Sequence, residues 1–177
     1  MKIEIKIAEL GDILDIVEHN IRHRDEPGFN GQLAHPFLPG HPWDKEEMRD
    51  RMITNFSKEI HEEGWERYFI IEADGKLLGS LNLKNLFHGT LHRAQLGMGL
   101  EAPLRGQGLG KQVLDFAIDW AKSQPTLDWI DLSVFAHNTP ARKLYSNAGF
   151  VEQVVFVDRL RVGGTSIDDV YMTLKIK

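Results

Sequence analysis

The 177 residues fit one ordinary domain with a full hydrophobic core, so residues 1–177 are read as a single domain. Apolar residues make up 42% and charged residues 27%, the balance of a folded globular chain, and the complete lack of cysteine excludes disulfides, thiol catalysis and thiolate metal sites. A formal charge of −5 speaks against a nucleic-acid partner and suits a cationic amine, and no apolar run is long enough to span a bilayer.

Met1 to Leu10 alternates charged and apolar residues without the basic start and apolar run of a secretory signal, which makes the cytoplasm the expected location. Within it Ile3, Ile5 and Ile7 have the period of a half-buried strand. Asp12 then precedes Ile13, Leu14, Ile16 and Val17, spaced for one face of a helix. From Asp25 to Trp43, seven Pro and Gly residues break any regular element, and so long a loop in a compact domain points to function. Asp44 is placed to cap a helix running to about Glu62, with Glu47 completing a capping box.

Arg67 to Ala73 and Lys76 to Leu86 read as strands joined by a tight Asp74-Gly75 turn. Leu91 to Leu100 is a third strand, in which Gly97 and Gly99 mark a bulge or the close approach of another group. A helix follows from about Gly108 to Lys122, then a strand from Leu127 to Phe135. Thr139 as N-cap with Pro140 behind it opens a short helix that Gly149 closes. Phe150 to Val162 and Ser166 to Ile176 form a last hairpin around Gly163-Gly164, whose free edge allows either a monomer or a homodimer. The order gives an α/β, α+β-like domain on a mixed sheet.

Leu100 to Lys111, LEAPLRGQGLGK, joins a strand to an amphipathic helix, where glycines expose backbone N–H groups at the positive end of the helix dipole. This is the pattern of an anion site. A P-loop would need Gly where Arg105 stands and Ser or Thr where Gln112 stands, and the dinucleotide fingerprint does not fit glycines spaced two apart at 106, 108 and 110.

The segment Arg105, Gly106, Gln107, Gly108, Leu109, Gly110 resembles the R/Q-x-x-G-x-G/A motif of the GCN5-related N-acetyltransferase (GNAT) superfamily. Asn138 to Phe150 is similar to that family's later block at Asn138, Ala141, Tyr145, Gly149 and Phe150, and the resemblance extends over essentially the whole chain. It implies a central, mostly antiparallel mixed sheet flanked by helices and an acetyl-CoA-dependent transfer to a primary amine of a small molecule or a protein, with no metal. By the same resemblance, Leu100 and the stretch Arg105, Gly106, Gln107, Gly108, Leu109, Gly110 and Lys111 hold the cofactor together with Asn138. The strand around Leu100 offers an N–H to the oxyanion, and Tyr145 donates a proton to the departing thiolate. The pKa values of a phenol, about 10, and a thiol, about 8.5, make that transfer reasonable.

The general base is not legible. Where some family members carry a strand glutamate, this chain reads Arg93, Ala94, Gln95, Leu96, which leaves a water chain or Glu101, Glu72, His92 and His88 as candidates. His19 and His23 have a metal-compatible spacing but no third ligand, and with Arg22 and Arg24 beside them they read as a solvated helix end. Phe29, Phe37 and Trp43 either shape an acceptor pocket or cap the core. Two other functions remain open at this level: a catalytically idle acyl-CoA-binding regulatory module, and a nucleotide-binding protein that uses the same turn.

Overall fold

A computed structural model describes residues 2–177, and Met1, the first residue of the alternation read above, lies outside them. The chain order is β1 (Ile3–Ile7), α1 (Ile13–Asp25), α2 (Lys45–Phe56), β2 (Glu66–Ala73), β3 (Lys76–Lys84), β4 (Arg93–Leu100), α3 (Leu109–Ser123), β5 (Trp129–Phe135), α4 (Thr139–Asn147), β6 (Val151–Val162) and β7 (Thr165–Lys175). The strands form one seven-stranded sheet in the order β1-β2-β3-β4-β5-β7-β6. Every neighbour pair is antiparallel except β4 with β5, which run parallel across the α3 crossover.

Alternation along β2 and β3 assigns the two faces. Phe69, Ile71, Leu81 and Leu83 pack with Val113, Leu114 and Ala117 of α3 and with Tyr145 of α4, forming the larger core. Tyr68, Ile70 and Leu77 turn the other way, onto Ile13, Ile16 and Val17 of α1 and Met52 of α2. The inner strands are therefore covered on both sides, and most positions of β2 and β3 are buried.

The turns match their sequences. Asp74 and Gly75 both have positive φ (50° and 79°), as do Gly163 and Gly164 (56° and 81°), the geometry that a two-residue hairpin favours. Several boundaries differ from expectation. The α2 helix stops at Phe56 rather than near Glu62, because Arg67 reaches across to take the carbonyls of Phe56 (2.9 Å) and Lys58 (2.7 Å). Asp44 caps α2 through the amides of Glu46 and Glu47, both at 3.0 Å, with no return bond from the Glu47 side chain. For α4 the cap is Asn138, not Thr139; its side chain accepts from the Ala141 amide at 3.3 Å. The strand expected from Leu91 starts at Arg93, after a 3-10 turn at His88–Thr90, and the one expected from Leu127 starts at Trp129. Register shifts fall in β2 between Ile71 and Glu72 and in β6, whereas β3 and β4 pair without one, so Gly97 and Gly99 do not mark a bulge.

Glycine at 97 and 99 answers a different need. A Cβ on Gly97 would sit 2.5 Å from the Asn82 amide oxygen, and one on Gly99 would sit 2.9 Å from the His23 ring. Side chains from β3 and α1 occupy the space that any larger residue would take.

The parallel pair is held at its start by Arg93, whose Nε and NH2 donate to the two carboxylate oxygens of buried Asp131 at 2.6 Å each, while its guanidinium lies 4.7 Å from the centre of the Trp129 ring. Asp131→Asn keeps the volume and removes the charge that satisfies Arg93. The Arg93 side chain keeps a quarter of its surface in water, so the cost falls short of that of a fully buried pair, at about 2 kcal/mol of unfolding free energy measured by urea denaturation.

Candidate active site

Pairing between β4 and β5 covers only Arg93–Leu96 against Trp129–Leu132 and then stops. Beyond that point β4 stays with β3 as far as Leu100, and β5 stays with β7 as far as Phe135. A wedge opens in the middle of the sheet, and Ser133, in a central strand, is exposed.

The backbone direction on each wall follows from strand alternation. The Glu101 amide donates to Leu78 O on β3, so the N–H and C=O of Leu100 and Met98 face away from β3 and into the wedge. The Ala136 amide donates to Asp168 O at the end of β7, so those of Phe135 and Ser133 face into the wedge from the opposite wall. The Leu100 and Phe135 carbonyls are taken by Arg105 Nε (2.8 Å) and the Asn138 amide (2.9 Å). The donors and acceptors that stay open, the N–H groups of Met98, Leu100 and Phe135 and the carbonyls of Met98 and Ser133, face an extended cleft of about 1000 Å³.

At one end of the cleft lies the glycine-rich turn. Gly106 and Gly108 hold φ of 75° and 76°, with open space where a Cβ would be. Among the described residues the amides of Gly106 to Gly110 reach no main-chain acceptor, whereas those of Lys111 and Gln112 close on Gly108 O. Gly108 caps α3 without a side chain, so five successive donors stand at the positive end of a 15-residue helix.

Leu100, Arg105, Gly106, Gly108, Gly110, Asn138 and Tyr145 all line the cleft, while Gln107, Leu109 and Lys111 do not. Leu109 is buried in the core, Gln107 donates to Pro103 O, and Lys111 pairs with Asp115 one turn on. The Arg105 guanidinium is engaged by the protein itself, donating to Leu100 O (2.8 Å), Pro27 O (3.0 Å) and Glu26 Oε2 (2.5 Å). Tyr145 is buried in the wall, and burial pushes its phenol well above the ordinary value.

A second chamber of about 600 Å³ lies on the α1/α2 face of the sheet. Its floor is the polar stripe Glu66, Tyr68, Ser80 and Asn82, with Asn82 Nδ2 donating to Glu66 Oε1 at 2.6 Å. Glu47 and Arg51 of α2 and the aromatic cluster His35, Phe37 and Trp43 form its sides. Of the three loop aromatics, Phe37 and Trp43 belong to this chamber and Phe29 to the cleft. The loop is tied down along its length. Arg24 holds Asp25 through two bonds of 2.7 Å, Asp25 accepts from the Gly40 amide, and these contacts bring the Asp25 carboxyl down to about 2. Glu26 accepts from the Ala102 amide at 3.0 Å, and Leu33 O lies 3.0 Å from His137 Nε2.

The two cavities meet at Gly97, Met98 and Gly99, with His23, Ala34 and His35 shared between them. His19 and His23 are not a solvated helix end. Neither His19 nor Arg24 is exposed, because α1 lies flat on the sheet at this point. His19 Nδ1 donates to Glu101 Oε1 at 2.8 Å, and Arg22 Nε donates to the same oxygen at 3.0 Å. Burial pushes the Glu101 carboxyl up, but Arg22 and His19 outweigh it and hold the group below its usual range. Glu101 is thus committed to that pair. Glu72 pairs with Lys6 at 3.0 Å, and neither it nor His88 and His92, which stand exposed beyond the far end of β4, lines either of these two cavities. Among the described residues no group of three His, Asp or Glu side chains is gathered for a metal, and no helix is long and apolar enough to cross a membrane.

Residues 28–150 match the model of the acetyltransferase (GNAT) family. The uncharacterized N-acetyltransferase YycN of Bacillus subtilis is 44% identical over 61 residues, 34% of this chain and 38% of that protein. Spermidine N(1)-acetyltransferase of Vibrio cholerae is 27% identical over 119 residues, 67% of this chain and 68% of that protein. The structure of yncA from Salmonella typhimurium, with its cofactor acetyl-CoA, superimposes with a TM-score of 0.81 at 16% identity, over 99% of this chain and 94% of that one.

Burial holds the His23 imidazole at about 4, helped by His19, Arg105 and His35 and opposed by Glu101; burial and Arg24 hold His35 at about 4. In the unfolded chain both titrate near 6.5, so as pH falls the unfolded state takes up these protons first. Stability is therefore full above about pH 6.5 and declines as pH falls toward 4. The urea midpoint at pH 5 should lie below that at pH 7.5, by a smaller margin in His35→Gln.

Proposed function

Because the chain belongs to the acetyltransferase (GNAT) family, we propose that it moves the acetyl group of acetyl-CoA to a primary amine of a small molecule or a protein. The observation that carries this reading is the wedge between β4 and β5 ending in five free amides. Acetyl-CoA supplies an anionic pyrophosphate, an arm containing two amides and an acyl carbonyl activated on sulfur. The residues present fit each part. The amides of Gly106 to Gly110 suit the pyrophosphate, because no side chain at 106, 108 or 110 obstructs the approach. The N–H groups of Met98, Leu100 and Phe135 and the carbonyls of Met98 and Ser133 suit an amide-bearing arm, which would extend the interrupted ladder.

The Leu100 N–H, aimed into the wedge, is placed to donate to a carbonyl oxygen as it gains charge. Asn138 uses its side-chain oxygen on the α4 cap, leaving its amide nitrogen for the arm. Tyr145, with its phenol raised by burial, keeps its proton across the working pH range. Its part is to donate a hydrogen bond to sulfur as the thiolate departs, with burial opposing full loss of that proton. Arg105 acts mainly as a clamp, since Glu26, Pro27 and Leu100 take its donors and fix the loop beside the turn. The acceptor amine enters through the second chamber, whose acidic floor at Glu66 and aromatic sides suit a cationic head on a longer body.

Release of free thiol from acetyl-CoA with a panel of primary amines tests the reading directly. CoA should raise the melting temperature more than ATP or NAD does, as a ligand specific to the folded state would. Tyr145→Phe should lower kcat by about tenfold while leaving the Kd for CoA within twofold. Gly108→Val, which forces a β-branched residue to φ of 76° beside the amides, should weaken CoA binding by at least about tenfold. CoA binding without thiol release for any amine would leave an idle binding module instead.

A further inference from the structure

An amine that reaches the wedge as an ammonium has no lone pair with which to attack, and the stretch of β4 that reads Arg93, Ala94, Gln95, Leu96 carries no carboxylate. We propose that His23 is the group that takes the amine's proton, an inference that rests on the acetyltransferase reading above. His23 and His35 are the titratable side chains that line both the acceptor chamber and the cofactor cleft. His23 is the one fixed on a helix, and its ring lies against Gly99 of β4, within the stretch where β4 parts from β5. Asp169 also lines the cleft but not the chamber, and Glu66 lines the chamber but not the cleft.

The placement has structural causes. Glycine at 99 is what admits the ring, since a Cβ there would lie 2.9 Å from Cε1 and Nδ1. Behind His23, one helical turn back, the His19 ring centre is 5.9 Å away, anchored through Nδ1 to Glu101 and left with a buried Nε2 that has no partner. The side chains whose charge acts on His23 are His19 from its own helix, His35 from the loop, Arg105 from the turn before α3 and Glu101 after β4. Apart from Glu101, which is already paired, that surround disfavours an imidazolium. The imidazole is therefore neutral at the working pH with its lone pair open, and because the same surround makes it a weak base, the proton it takes must be handed on to water without delay.

In the step itself an N–H bond of the ammonium breaks, its electron pair stays on nitrogen, and the proton moves to an imidazole nitrogen of His23. The resulting imidazolium, disfavoured by its surroundings, passes the proton to solvent through the open chamber. The amine's remaining excess proton is accounted for by the thiol product.

Two measurements test the assignment. His23→Gln and His23→Asn should lower kcat/KM for a reactive amine such as benzylamine by about 100-fold at pH 7, with CoA affinity within twofold of the parent. The deficit should shrink as pH rises above about 9, where the free amine supplies its own lone pair. In the CoA-bound parent protein, an imidazole 15N signal absent from the variants should stay neutral to about pH 5 and shift when benzylamine is added. Loss of activity by the same factor at every pH, no loss, a signal titrating near 6.5, or a signal indifferent to the amine each overturns the proposal. A parent protein that releases no thiol with any amine overturns the acetyltransferase reading and this assignment together, whereas an active parent with parallel pH profiles removes His23 alone.

Discussion

The site depends on one constraint, that β4 and β5 pair through Leu96 and Leu132 and no further. Each strand continues in register with its outer neighbour, β4 with β3 and β5 with β7, so neither is free to follow the other. Because sheets twist, two strands held to diverging partners separate. The result is an interior edge, with the N–H groups of Met98, Leu100 and Phe135 and the carbonyls of Met98 and Ser133 left without a strand partner in the middle of a sheet. A soluble protein normally avoids such edges because unmade backbone hydrogen bonds are costly in a dry interior. Here the open edge is tolerable because the wedge is wide and reaches solvent, and it becomes useful because a peptide-like molecule can complete it.

The rest of the architecture arranges groups around that opening. Arg93 and Asp131 fasten the paired half, so the divergence starts at a fixed point. The loop from Glu26 to Trp43 spans both cavities and is held by Arg24 on Asp25, by Glu26 on Ala102 and Arg105, and by Leu33 on His137. Arg105 therefore links the glycine-rich turn to the start of the loop and to the end of β4. A change in the loop would be felt at the turn, because the same guanidinium touches Glu26, Pro27 and Leu100.

Local features were legible in the sequence, and long-range ones were not. The glycine-rich turn, both glycine-containing hairpins and the Asp44 cap are decided by residues within a few positions of one another, and the structure has them where their sequences place them. Helix ends were harder: α2 is cut short by Arg67, eleven residues beyond Phe56, and no local signal announces that. The wedge itself has no sequence signature, since it is a property of which strands pair and where they stop. Gly97 and Gly99 carried half the message. Glycine in a strand signals a close approach, yet only the register shows that the approaching groups are Asn82 and His23. His23 was misread because arginines on either side suggest solvent, while the helix packs that stretch against the sheet and directs Arg22 and Arg24 to carbonyls of Leu77 and His41.

Burial controls the two polar groups nearest the proposed chemistry in a consistent way. Tyr145, on the α3/α4 face, is pushed toward its neutral phenol, and His23, on the α1 face, toward its neutral imidazole. One is thereby kept as a donor and the other as an acceptor over the same pH range, although a lone tyrosine in water would already be a donor and a lone histidine would be partly charged below neutrality. The two lie on opposite faces of the sheet, separated by the wedge, so in the proposed reaction a proton would be taken from the amine on one side and a hydrogen bond offered to the sulfur on the other. A sheet without the interruption would keep the two faces apart. The incomplete pairing of β4 and β5 is thus what the proposed reaction requires, since only there could groups on both faces reach one reacting centre.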